Sequence, residues 1–260
     1  MITLTSAELN TWIAMLLWPA ARILGLIAVA PLFGNISVPV RVKLGLGVML
    51  ALVIAPGVPP GPATDPASLP GLLILLQQML IGIAMGFVMR LVFAAIEMAG
   101  EIASLTMGLG FASFYDPQTR ASLSGISQLL VMLALMFFLA TNLHLVTLQI
   151  LNDSFTVLPI GEPLANGQGW LGVVSWGARI FSAGVQLSLP IVAVLLAANL
   201  ALGILTRAAP QLNLFGIGFP IMLGVGFLML ALVLPYLATP LAALLQEGMT
   251  RMLETPASLR

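Results

Sequence analysis

Residues 97–125 read EMAGEIASLTMGLGFASFYDPQTRASLSG and lie between two of the most apolar blocks of the chain. Glu97 and Glu101 are four residues apart, so on a helix they share one face and repel unless a donor or a cation stands opposite. Gly100, Ser104 and Gly108 repeat at the same interval on a neighbouring face. Small residues so spaced let a second helix approach closely in a membrane bundle. Gly108 and Gly110 then weaken the helix and permit positive φ, while Met107, Leu109, Phe111, Phe114 and Tyr115 stay large and apolar. Residues 107–115 therefore read as a pliable apolar flap. Asp116-Pro117 predicts a new helix, with Asp as N-cap and Pro at the first helical position, where its missing N–H costs nothing.

Outward from this stretch the chain is apolar almost throughout. Of 260 residues, 60% are hydrophobic and 7% charged, with a mean hydropathy of +1.12; soluble domains carry about 25% charged residues. Apolar blocks run at roughly 11–33, 44–58, 71–96, 126–151, 170–206 and 212–246, and about 20 helical residues cross a bilayer core. The expectation is an all-α, polytopic membrane-type protein of kinked helical hairpins with about six hydrophobic blocks. The block at 170–206 would be roughly 55 Å long if unbroken, so it must tilt, project beyond the bilayer or break near Pro190. Pro19, Pro220 and Pro235 mark similar weak points. Gly82-Ile-Ala-Met-Gly86 and the spacings Gly45/Gly47 and Gly224/Gly226 repeat the small-residue pattern.

Nine basic and nine acidic residues cancel, which leaves neither a nucleic-acid footprint nor a polybasic lipid-binding tail. Arg41 and Lys43, Arg120, and Arg207 fall between blocks, and acidic residues mark the alternate loops: Asp65 in 57–70, Asp153 and Glu162 in 152–169. The positive-inside rule then predicts an outside N-terminus and six spans. The first ten residues, with Glu8 and no basic residue, do not form the n-region of a cleaved signal peptide. Arg22, Arg90 and Arg179 lie within or near apolar blocks, where a charge costs about 2.5–3.5 kcal/mol on the insertion scale. They are expected to face protein or water, as are Glu97 and Glu101.

Chemistry is sparse. There is no cysteine, hence no disulfide or thiolate metal site, and the single histidine, His144, has no carboxylate at metal-ligand spacing. No HExxH or Gly-x-Ser-x-Gly pattern is present. Gly108-Leu-Gly110 echoes a dinucleotide fingerprint without its strand, third glycine or ribose-binding acid. Neither an enzyme nor a cofactor is expected.

Two long segments carry a family resemblance. Gly100-Glu101, Met107-Gly108, Phe111-Ala112 and Asp116-Pro117 form one, and Asn199 to Pro220, NLALGILTRAAPQLNLFGIGFP, forms the other; Ser37-Val-Pro-Val-Arg41 and the Asp153-Ser-Phe…Leu158-Pro159 loop add to them. Over essentially its whole length the chain resembles the FliR family of flagellar export-gate subunits and its counterparts in virulence type III secretion. One departure is Asn142-Leu143-His144, where the family pattern has a glycine before the histidine. The resemblance implies a subunit of the bacterial inner (cytoplasmic) membrane, within the flagellar basal body. Its partners would be FliP-type and FliQ-type subunits and an FlhB-type switch protein, and its cargo unfolded flagellar proteins.

The resemblance also implies a FliP-like first part, 1–160, with four blocks, and a FliQ-like second part, 161–260, with two. Segment 106–116 would be a pore plug, formed by Met107, Gly108, Leu109, Gly110, Phe111, Phe114 and Tyr115. Arg22, Arg90, Glu97, Glu101, Arg179 and Arg207 would make polar contacts between subunits. Two other readings are an ion-coupled secondary transporter, suggested by broken helices and intramembrane charge, and a subunit of a virulence secretion system.

Overall fold

Hydropathy of this kind leaves the backbone no partner but itself, and all regular structure among the described residues is helical. A computed structural model describes residues 6–35, 37–62, 64–109, 124–164, 166–208 and 218–260, with side chains from residue 11 onward. The helices are α1 (Ser6–Val29), α2 (Val40–Ile54), α3 (Leu69–Thr106), α4 (Gly125–Ala140), α5 (Leu143–Val157), α6 (Gly167–Ser175), α7 (Ala178–Ala208), α8 (Phe219–Val233) and α9 (Ala238–Leu259). Short 3-10 turns follow α2 at Ala55–Gly57 and α8 at Leu234–Leu237. Among the described residues, five helical stretches are long and apolar enough to cross a membrane: Thr11–Val29, Val40–Gly57, Leu69–Thr106, Gly167–Ala208 and Phe219–Leu259. Helices α4 and α5 add a sixth as one bent span. The six blocks of the sequence are thus six candidate spans.

The helix breaks follow local chemistry. Block 170–206 is interrupted at Trp176-Gly177, where the Gly177 N–H donates to the Val174 carbonyl at 2.9 Å, and not at Pro190, which lies inside α7. A proline removes one ladder bond, here the one that would reach the Gln186 carbonyl, and the surrounding helix can carry that loss in an apolar setting. Pro19 is likewise carried inside α1. Pro220 sits in the first turn of α8, and Pro235 lies in the 3-10 turn that separates α8 from α9. Between α4 and α5 the turn is made by Asn142 at φ 57°, the one non-glycine with positive φ among the described residues. Asparagine tolerates that left-handed conformation better than most residues, so it can make this turn.

The chain forms two compact units, each assembled from separated stretches: Met1–Leu91 with Phe138–Gly177 and Glu247–Arg260, and Val92–Phe137 with Ala178–Gln246. In the first unit α1 lies directly on α3. A Cβ on Gly82 would strike the Arg22 carbonyl oxygen, and one on Gly25 the Met79 carbonyl; one on Gly86 would come within 2.9 Å of the Leu26 carbonyl. Trp18, Ile23, Leu26, Ile27, Ile81, Met85 and Phe155 fill its core. In the second unit a Cβ on Gly100 would meet the Ser127 backbone of α4, and one on Gly184 the Met98 side chain at 3.0 Å. Phe93, Ile96, Ala99, Leu130 and Ile191 are buried there.

Candidate functional site

The last turns of α3, in the second unit, hold the carboxylates and the beginning of the flap. Glu97 and Glu101 are both half-buried. Close approach at Gly100 brings the first turn of α4 against them: Ser127 Oγ donates to the Glu97 carbonyl at 2.8 Å, and the Ser124 N–H donates to Glu101 Oε2 at 3.3 Å. Ser124 Oγ in turn accepts from the Ser127 N–H at 3.2 Å. Glu101 therefore lies at the N-terminus of α4, where free N–H groups and the helix dipole favour an anion. The donor expected opposite the carboxylates is, for Glu101, a backbone amide of its own chain.

Helix α3 ends immediately afterwards. Thr106 Oγ1 turns back to the Ile102 and Ala103 carbonyls at 3.0 and 2.8 Å. Gly108 takes φ 87° while its N–H donates to the Leu105 carbonyl at 3.0 Å. A left-handed glycine is a common way to end a helix. One residue earlier Met107 is 1% exposed, its side chain filling the space where Gly226 of α8 lacks a Cβ, with Cγ 2.5 Å and Sδ 2.8 Å from that ideal position. Ser104 is buried too. Met107 is thus an anchor, Gly108 a stop and Leu109 half-buried; Gly110, Phe111, Phe114 and Tyr115 lie outside the described residues.

A second polar cluster forms in the first unit around Arg22, which is 0% exposed. Its Nε donates to Gln78 Oε1 at 2.8 Å, Nη1 to the Ser154 carbonyl at 2.8 Å and Oγ at 3.0 Å, and Nη2 to the Leu158 carbonyl at 2.8 Å. The guanidinium carbon stands 4.3 Å from the Phe155 ring centroid, a cation–π distance. Ser154 and Leu158 close the last turn of α5, so the cation caps the negative end of that helix. Here the structure departs from the expectation of a contact between subunits: the guanidinium is enclosed and bonded within its own chain. Gln78 Nε2 and Trp18 Nε1 are buried nearby with no acceptor among the described residues.

Of the remaining charges, Arg90 is exposed on α3. Arg179 Nη1 donates to Ser182 Oγ at 3.2 Å. Arg207 is exposed in the last turn of α7, where a cation complements the helix dipole. Arg260 pairs with Glu162 at 2.7 Å, and the Glu162 carbonyl accepts from Gln77 Nε2. No three His, Asp or Glu side chains gather at metal-binding distance among the described residues. Gln78 and Ser154 escaped the sequence reading. A glutamine inside the 71–96 block was the available signal, as was the Asp153-Ser-Phe…Leu158-Pro159 match, whose Ser154, Phe155 and Leu158 all touch Arg22.

Residues 13–248 match the family described as bacterial export proteins, family 1. The chain is 43% identical to the flagellar biosynthetic protein FliR of Escherichia coli (strain K12) over 238 residues, 92% of this chain and 91% of the other. It is 43% identical to that of Pectobacterium carotovorum over 90% of each chain. With the Caulobacter vibrioides protein of the same name it shares 31% identity, over 84% of this chain and 87% of the other.

Proposed function

The chain belongs to family 1 of the bacterial export proteins and is a membrane subunit of the flagellar export apparatus, and from that premise we propose that it forms part of the pore through which unfolded flagellar proteins are secreted. In this reading segment 106–116 is the plug that keeps the pore closed. The observation that carries it is the end of α3, where a buried anchor, Met107, is followed at once by Gly108 at positive φ. A segment whose sequence reads as pliable and apolar, placed directly after a packed helix end, suits a closure that yields to a threaded chain. The partners are FliP-type and FliQ-type subunits and an FlhB-type switch protein, with 1–160 the FliP-like and 161–260 the FliQ-like part, in the inner membrane.

Uncovered apolar faces support assembly. On α7, Leu189, Leu196, Leu200 and Ile204 are 53–71% exposed and share one stripe; on α2, Met49, Leu52 and Val53 are 58–78% exposed. Lipid or sister subunits must cover these faces. The polar contacts to those subunits would be made by Arg90, Glu97, Glu101, Arg179 and Arg207, of which Arg90 and Arg207 are exposed and Glu97, Glu101 and Arg179 half-buried.

Deleting Gly108 to Phe114 tests the plug. The assembled complex is expected to leak ions while still assembling; unchanged membrane conductance would count against the reading.

A further inference from the structure

The four acceptors of Arg22 are all neutral, and all come late in the chain: Gln78 follows it by 56 residues, Ser154 by 132 and Leu158 by 136. Arg22 itself lies within Thr11–Val29, the first stretch able to cross a membrane. On α1 alone the guanidinium has no side-chain acceptor in reach, since its neighbours one turn away, Trp18, Pro19, Leu26 and Gly25, supply none. A charge in that position draws a lone helix toward the interface or out of the bilayer. The buried groups of Gln78 and Trp18 that have no partner among the described residues, Gln78 Nε2 and Trp18 Nε1, are themselves donors and cannot take over as acceptors.

We propose that Arg22 makes the placement of α1 in the membrane conditional on α3 and α5. The first span is held weakly while it is the newest, then locked when Gln78 arrives and the end of α5 closes over the guanidinium. The glycine seam at Gly25, Gly82 and Gly86 completes the lock by bringing the α1 and α3 backbones into contact. A chain that fails to build α5 therefore keeps a loosely placed first helix, which distinguishes it from a finished subunit before any partner binds.

The absence of cysteine gives a clean test in the full-length chain. Ser37→Cys, in the exposed connection after α1, is labelled with a membrane-impermeant maleimide from either side, on pulse-labelled chains so that degradation does not intervene. Labelling is expected from one side only in the Ser37→Cys parent. Gln78→Leu should raise the wrong-side or two-sided fraction at least about tenfold, as loss of a charge-assisted hydrogen bond supports. Arg22→Met in the same chain should restore one-sided labelling, and Gln78→Glu, which keeps an acceptor, should never lose it. One-sided labelling in Gln78→Leu, or a defect that Arg22→Met leaves in place, would overturn the proposal.

Discussion

Arg22 and Glu101 are both charges within long apolar helices, yet the protein treats them in opposite ways. Arg22 is sealed in the first unit and bonded by four acceptors from α3 and α5. Glu101, in the second unit, is half-buried and, among the described residues, accepts the Ser124 N–H at 3.3 Å. The first arrangement uses the charge as a keystone, since any loosening strands a buried cation. The second sets a carboxylate against the N-terminus of α4 at the point where α3 stops. Charge in a membrane segment is thus no single signal: what matters is how many acceptors or donors the chain itself supplies.

Substitutions sharpen that contrast. The largest effect is expected from Gly82→Leu, whose side chain has only the α1 backbone to occupy. The loss should exceed about 5 kcal/mol, enough to prevent accumulation of the folded chain, as read by the amount recovered in detergent. Arg22→Ala should follow at about 3–5 kcal/mol, because the Leu158 carbonyl and Gln78 lose their buried partner; a fall in melting temperature of the detergent-solubilised protein measures it. In the second unit Gly100→Ala forces α3 and α4 apart at Ser127 and should cost about 1–3 kcal/mol in the same melt.

Glu101→Gln is the decisive smaller change. Within the chain it removes a carboxylate from a helix N-terminus, worth up to about 1 kcal/mol. Combined with Glu97→Gln it should weaken subunit association more than any ion-dependent step, measured by co-purification and by export with the proton gradient collapsed. An intact complex whose export no longer depended on the gradient would favour ion coupling instead. Least of all, Asn142→Gly should shift stability by less than about 0.5 kcal/mol, whereas Asn142→Val, forced into a left-handed conformation, should lose roughly 1–2 kcal/mol.

Much of the fold was legible because hydropathy and small-residue spacing are local. The six blocks became candidate spans, and Gly82, Gly86 and Gly100 marked close helix contacts. The paired glycines were read less well. Gly47 lies over the Leu24 side chain and Gly226 over Met107, while a Cβ on Gly45 or Gly224 would meet nothing within 4 Å. Of the alternatives for the 170–206 block, tilt, projection or a break near Pro190, the break at Pro190 is the one not seen: α7 runs through Pro190, and Gly177 makes the turn. Arg22 was recognised as costly, but its partners are neutral groups 56 and more residues away, and no spacing rule reaches that far. The end of α3 was the most readable part of the candidate site, since a glycine after a helical run announces both the stop and the positive φ.

The central claim is that the chain satisfies Arg22 by itself and keeps the Glu97–Leu109 end for sister subunits. Intact mass analysis of the chain purified with its co-expressed neighbours tests it most directly. The account predicts a mixed assembly for the native sequence, lost in Glu97→Gln/Glu101→Gln while the melting temperature of the separated chain stays within a few degrees of the native value. A monodisperse, active monomer of the native chain would contradict it.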